Sequence, residues 1–367
     1  MSTPGSAAHA KIEFYSQKAK DEGRNCFLWM TGKMGLVEMR VFWLIGWRVT
    51  DLEPMTIRNL YRYFDIAWHE TCLVNYLEPD LIEVYLCQVR VEPLPQVLDY
   101  NVTPVGPVFS SESEELVTPG SLFGLCTSED GSILVDHRRS YLKSNGNFDS
   151  FRAQFVRRNP FLETVSTMPL EIREAVLRRD HSTCCITGLL LTEAETAVEW
   201  IMPPALLCEL EITSEERYEV WREVVGGLRD SARFDCLKVA GNAITMHRDL
   251  VEMYKRNQLS IDVDDKYHIT CFNPPKDLSL TLQRSLTINN HSNDRLDDRY
   301  LRRHFSRCIL LCMIGGGIHD DYKYHTVKSL VSEFGIIEAS DIDKEDEDWP
   351  DDRNAQLIEA WMTQYGN

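Results

Sequence analysis

The sequence predicts an α+β fold: a mixed, β-rich N-terminal domain over residues 1–150, then a ββα-containing domain with flanking helices over 151–338. Residues 339–367 read as an acidic linker and a C-terminal helix. Three patterns lead there. Apolar and aromatic residues from Asn25 to Val49, broken around Gly32 and Gly35, read as a hairpin whose second strand is Met39 to Trp47. Leu60, Tyr63, Phe64 and Ala67 recur at helical spacing, so Pro54 to Asn75 reads as a helix. Asn242 to Phe272 reads as a strand, a helix and a hairpin that turns at Asp264 and Asp265.

The other elements follow in chain order. Residues 1–22 are a polar lead with a helix expected from about Ala8. Leu81 to Val91 reads as a strand. Pro93 to Pro107 holds four prolines and reads as a loop or extended linker, running into the Ser/Glu stretch Ser110 to Leu116. Ser132 to Leu142 is expected to add a strand, and Asn145 to Pro160 crosses into the second half. There, Arg173 to Gly188 reads as a short helix, a turn and a strand ending at Thr187-Gly188, and Val198 to Pro204 as an apolar strand closed by prolines. Ser214 to Arg229 is an inserted helix with a turn around Gly226 and Gly227. Pro274 to Asn293 is a loop, and Asp294 to Met313 a long helix stopped by Gly315 to Gly317. The acidic run Asp341 to Arg353 precedes an amphipathic helix, Ala355 to Tyr365. No internal repeat is seen.

The segments REAVLRRDHSTCCITG, VEWIMPP and NAITMHRDLVEMYKRNQLSIDVDDKYHITCF, with LRRHFSRCILLCMIGGG after them, resemble in order and spacing the fungal branch of the His-Asn-His endonucleases. The likeness covers roughly the second half of the chain and implies an HNH-like ββα domain. Such a nuclease binds one divalent metal; a histidine activates water, an asparagine orients it, and a helix histidine or aspartate holds the metal. Carried over residue by residue, the base falls on Trp200, the asparagine on Asn242 and the helix histidine on Val251. The family's Phe-Asp pair falls on Tyr254 and Lys255.

The resemblance therefore supplies a frame without its chemistry. An indole has no lone pair for a proton, valine coordinates nothing, and Lys255 repels a cation. Glu199 stands beside the lost base as a lone carboxylate. His247, four residues before Val251, is either a substitute on that helix face or a capping or solvent-facing residue. Asn242 is either functional or a turn residue capping its own backbone. No metal and no cofactor are expected.

Charge disfavours nucleic acid. The chain holds 39 Lys and Arg against 57 Asp and Glu, a net of −18. Residues 151–272 alone carry 15 basic and 20 acidic side chains, whereas phosphate binding needs a basic surface. Arg157, Arg158, Arg173, Arg178 and Arg179 cluster, either as a local basic patch or, as is expected, as a solvated helix face paired with carboxylates such as Glu171 and Glu174. The 11 cysteines are scattered and form no Cys-x-x-Cys pair, so zinc is not assigned and reduced core thiols are expected. The N-terminus lacks a secretory pattern, and charges interrupt the apolar window from Cys26 to Val49, so neither a membrane span nor export is expected; the expected location is the cytoplasm.

Function is then sought in what replaced the site. Trp200, Met202, Val251, Met253 and Tyr254 are apolar, and Trp29, Phe42, Trp43, Trp47, Tyr61, Tyr63, Phe64 and Trp68 enrich the first half in aromatics. These are either ordinary core or walls of a cavity for a hydrophobic small molecule. The resemblance adds that relatives lie near genes of fungal small-molecule biosynthesis. A metal-free cyclase or isomerase-type enzyme is therefore expected, folding a substrate for a cycloaddition of Diels–Alder type. Trp200, Met202, Val251 and Tyr254 would contact the substrate, with Glu199, Asn242 and His247 as polar handles. A non-catalytic interaction module is the competing expectation, and an active nuclease using Glu199, Asn242 and His247 a third. The substrate, the product and the oligomeric state are not legible.

Overall fold

The computed structural model describes residues 15–34, 39–50, 54–74, 85–93, 100–126, 135–136, 165–204, 231–272, 279–286 and 295–313. The expected helix at Ser214 to Arg229 and the C-terminal linker and helix lie outside them.

A short helix, α1 (Gln17–Asp21), leads into β1 (Cys26–Met34), which pairs antiparallel with β2 (Met39–Trp47) from Cys26↔Trp47 to Met34↔Met39. This is the expected hairpin. β1 also pairs in parallel with β5 (Leu122–Cys126) and with the two-residue β6 (Val135–Asp136). Having neighbours on both sides, its first four residues are all buried. Cys26 and Leu28 face the main core, and Phe27 stacks on Tyr15 with ring centroids 4.0 Å apart. An unbroken apolar run is what a strand covered on both faces requires.

β5 was not anticipated. It lies between β1 and β3 (Tyr85–Pro93), antiparallel to the latter, and only those neighbours mark its five residues as a strand. The proline-rich stretch expected to be a linker instead contains β4 (Tyr100–Phe109), antiparallel to β3. Pro104 pairs opposite Val89, where the register shifts, and β4 ends the order β2-β1-β5-β3-β4. Proline lacks the N–H that an inner strand must donate, so an edge strand is where it is tolerated.

Across this sheet lies α2 (Ile57–Val74), capped by the Thr56 hydroxyl, which accepts the Asn59 N–H at 3.1 Å. Its buried Ile57, Leu60, Tyr63, Phe64 and Ala67 follow the expected period. Together with Leu28, Ile45, Trp47, Leu86 and Phe123 they build one core, so Trp47, Tyr63 and Phe64 are packing residues.

The second half begins with α3 (Leu170–Arg179). Arg178 is exposed and lies 4.0 Å from Glu174, as a solvated face would have it. Arg179 is buried: its guanidinium donates to the Ala240 and Ala243 carbonyls, each at 2.8 Å, and grips the Asp180 carboxylate. Asp180 in turn accepts the Thr245 N–H at 3.0 Å. A planar five-donor fork reaches several acceptors at once, which explains an arginine here. Arg157 and Arg158 lie outside the described residues.

No strand forms before Gly188. The chain turns there with an isolated Thr183↔Leu190 bridge, because Cys184 Sγ accepts the Thr187 N–H and Gly188 N–H bonds back to the Cys184 carbonyl. Gly188 has φ +71°, a left-handed conformation that favours glycine.

β7 (Thr196–Trp200) pairs antiparallel with β8 (Ala243–His247), and α4 (Val251–Lys255) follows. β9 (Leu259–Asp262) and β10 (His268–Cys271) form the expected hairpin; Asp262 caps the turn and Lys266 is left-handed. The last described helix, α5 (Asp298–Met313), belongs to two cores: Tyr300 and Leu301 enter the second, and Phe305, Ile309 and Met313 enter the first. Arg24 donates to the Met313 carbonyl at 3.1 Å, satisfying part of its C-terminus. Arg62 of α2 and Asp262 of β9 make a two-pronged ion pair between the same two parts. No helix among the described residues is long and apolar enough to cross a membrane.

Candidate functional site

Three elements converge on a cavity of about 250 Å³: the end of β7 with the residues after it, the end of α4, and one face of α5. A wider, shallow depression of about 550 Å³ over β3 and β4 has no buried ionisable group among its lining residues, so it is the weaker candidate.

The first wall runs from Glu199 to Pro203. After Trp200 the chain leaves the sheet but is not loose. Asn242 accepts the Met202 N–H on Oδ1 at 2.9 Å, donates from Nδ2 to the Met202 carbonyl at 2.7 Å and to the Leu237 carbonyl at 2.9 Å, and its own carbonyl takes the Ile201 N–H. Wholly buried, it holds the ledge on which Ile201, Met202 and Pro203 stand. Trp200 is also buried, its indole N–H donating to the Ser166 carbonyl at 2.8 Å and its ring packed with Val176, Ala240 and Ala243.

The second wall is Tyr254 and Lys255, with Asn257 just beyond in a left-handed turn. Lys255 Nζ sits 3.1 Å from Glu199 Oε1, so the carboxylate beside Trp200 is neutralised rather than left to bind a cation. Tyr254 is buried, and its hydroxyl has no hydrogen-bond partner among the described residues. Burial, reinforced by the neighbouring Cys308, Glu199 and Cys185, raises its pKa well above the usual tyrosine value, so it stays protonated.

The third wall is His304 and Arg307 of α5. His304 is buried, stacked on the Tyr254 ring at 4.4 Å, with Nδ1 2.8 Å from Ser260 Oγ and Cys308 Sγ beside it at 3.7 Å. The serine fixes the plane of the ring.

Of the residues expected from sequence, Glu199, Trp200, Met202 and Tyr254 meet at this cavity. Asn242 is spent behind it. His247 lies at the far end of β8, opposite Thr196, whereas Trp200 pairs with Ala243; four residues of strand separate them, about 13 Å at ~3.3 Å each. It belongs to the strand rather than to the helix, and its Nδ1 accepts the Asp249 N–H as a cap. Val251, the first residue of α4, packs partly buried against the second core. Lys255, His304 and Arg307 were not singled out as lining residues, although His304 carries a signal. It falls on the apolar stripe formed by Leu301, Phe305 and Cys308, where an ionisable side chain needs a reason.

Among the described residues, no three His, Cys, Asp or Glu side chains converge to hold a metal ion. Cys26, Cys87, Cys184, Cys271, Cys308 and Cys312 are buried, and Cys236 is exposed. No family model, curated protein or solved structure matches the chain.

Proposed function

We propose that this chain is a non-nucleolytic derivative of the HNH endonuclease frame whose cleft acts on a small organic molecule, as a metal-free cyclase of fungal small-molecule biosynthesis. The observation that carries the reading is the cavity itself, with Trp200, Met202 and Tyr254 in its wall and a closed Glu199–Lys255 ion pair in place of a metal site. An indole and a buried, protonated phenol cannot take a proton from water at neutral pH. They can present a rigid, largely apolar surface that holds a flexible chain in its reactive conformer, which is the main requirement of a pericyclic ring closure. Lys255, paired with Glu199, and His304 and Arg307 are polar lining groups able to polarise a carbonyl on such a substrate. Asn242 and His247 serve this reading only as braces.

The test is direct. Purified protein is incubated with linear diene–dienophile precursors and product formation is compared with the uncatalysed background; parallel plasmid assays contain magnesium or manganese. Ring closure above background without plasmid cleavage supports the proposal, and metal-dependent cleavage reverses it.

One observation favours the interaction module as a second reading: Leu189 and Leu190 are adjacent and 49 % and 77 % exposed. Exposed neighbouring leucines suit a docking point. A Leu190→Glu variant that loses a copurifying partner, while cyclisation assays stay at background, would select it.

A further inference from the structure

Tyr254 carries a hydroxyl that its packing does not need. The residue is 3 % exposed and belongs to the second core, yet the hydroxyl has no hydrogen-bond partner among the described residues. Phenylalanine would fill the same space without enclosing an unmet donor, and buried polar groups are overwhelmingly paired. Tyr254 also lines the cavity of about 250 Å³, and among the described lining residues no other has a buried side-chain N or O atom without a partner. Glu199 is paired with Lys255, the Trp200 indole with the Ser166 carbonyl and His304 with Ser260, and Arg307 is likewise engaged. The Tyr254 ring stacks on His304, another lining residue, with centroids 4.4 Å apart. Burial first, then the nearby Cys308, Glu199 and Cys185, hold the phenol protonated, so at neutral pH it is a donor. The Glu199 carboxylate close to it disfavours an anionic acceptor at the same place.

We infer that Tyr254 donates a hydrogen bond to a neutral carbonyl oxygen of the molecule that occupies this cavity, and so selects a ketone or enone over a hydrocarbon of the same shape. This rests on the reading of the cavity as a small-molecule site and names the class of its ligand. The empty protein bears the cost of an unsatisfied hydroxyl, and the ligand oxygen relieves it; a molecule without an acceptor leaves the donor unmet. The same bond draws electron density from a double bond conjugated to the carbonyl, where charge develops in a ring closure. A cavity of about 250 Å³ lies just below the range of drug-sized pockets, which limits the ligand to a compact molecule.

The test uses the full chain, calorimetric titration and two probes of nearly equal shape: acetophenone, and α-methylstyrene, in which a methylene replaces the carbonyl oxygen. Acetophenone is expected to bind about fivefold or more tightly, the scale of one neutral hydrogen bond. In Tyr254→Phe that preference should vanish while the affinity for α-methylstyrene is kept, a pattern that general damage to the site would not produce. The infrared carbonyl stretch of bound acetophenone should lie lower in the parent than in Tyr254→Phe. Circular dichroism checks folding; should Tyr254→Phe not fold, Tyr254→Met reads the same preference, which it must abolish. Equal binding of the two probes by the parent overturns the inference and leaves the small-molecule reading standing. Binding of neither probe overturns both, and a preference kept in the folded Tyr254→Phe or Tyr254→Met variant overturns the assignment of the donor to Tyr254.

Discussion

Asn242 holds Met202 by both ends of its peptide: Oδ1 accepts the Met202 N–H at 2.9 Å and Nδ2 donates to the Met202 carbonyl at 2.7 Å. A side-chain amide here replaces a strand partner, and the chain can leave β7 without exposing its backbone groups to an apolar interior. Asn242→Ala strips partners from Met202 and Leu237 in a fully buried position. Each lost bond costs about 1–3 kcal/mol in such a site, so the variant should lose roughly 3 kcal/mol or more in urea denaturation. Asn242→Asp should also be destabilised, because a carboxylate cannot donate to those two carbonyls. A variant as stable as the parent would show that Asn242 does not brace the ledge.

Tyr254→Phe removes a buried hydroxyl without a partner among the described residues. Its desolvation penalty, about 1–3 kcal/mol, should return as a gain of roughly 1 kcal/mol at neutral pH. The pH dependence has a definite sign. The folded-state pKa is raised, so the stability it confers is complete below the unfolded value near 10 and is lost as pH climbs beyond it. Chemical denaturation between pH 9 and about 11 should therefore fall more steeply for the parent than for Tyr254→Phe. Parallel slopes would contradict this.

Arg62→Ala tests the link between α2 and the β9–β10 hairpin. Asp262 is 1 % exposed, and after the substitution the N–H groups of Asp264 and Asp265 are the donors left to it among the described residues. Breaking a buried pair from one side costs about 3–5 kcal/mol; with Arg62 partly exposed, about 3 kcal/mol is expected. In the double variant Arg62→Ala/Asp262→Ala part of that loss should return, because no uncompensated charge remains. Additive losses would mean that the two residues act independently.

Among the eight cysteines whose side chains are described, thiol labelling should reach Cys236 first. It is exposed, whereas Cys26, Cys87, Cys184, Cys271, Cys308 and Cys312 are buried. Burial raises the Cys26 thiol well above its usual range, and desolvation with the nearby Asp180 carboxylate raises the partly buried Cys185 as well. Because the thiolate is the reactive form, mass-spectrometric mapping in native buffer should find Cys236 modified well before these seven. Equal rates would show that the cores open on the labelling timescale.

Much of the architecture was legible because periodic burial leaves a mark in local sequence. The β1–β2 hairpin, the stripe of Leu60, Tyr63, Phe64 and Ala67, and the Asp264–Asp265 turn each follow from spacing within a few residues. β5 and β4 were not. Leu122–Cys126 is too short to declare itself without β1 and β3 beside it, and Pro104 and Pro107 argue against a strand until the strand is seen to be at an edge. Arg179 escapes a local reading for a similar reason: its spacing suits a surface helix, but its acceptors are carbonyls some 60 residues further along.

The cavity divides in the same way. Sequence alone determined which residue types stand at the end of β7 and on α4, and with them what those positions are unable to do: a tryptophan, a valine and a lysine neither accept a proton from water nor hold a cation. Only the tertiary structure decided that Asn242 braces the cavity wall from behind and His247 lies apart from it, and that α5 brings His304 and Arg307 to it across some fifty residues of chain. Chemical capability resides in a side chain and can be read one letter at a time. Proximity between distant segments is set by how two cores share a helix, and no local pattern records it.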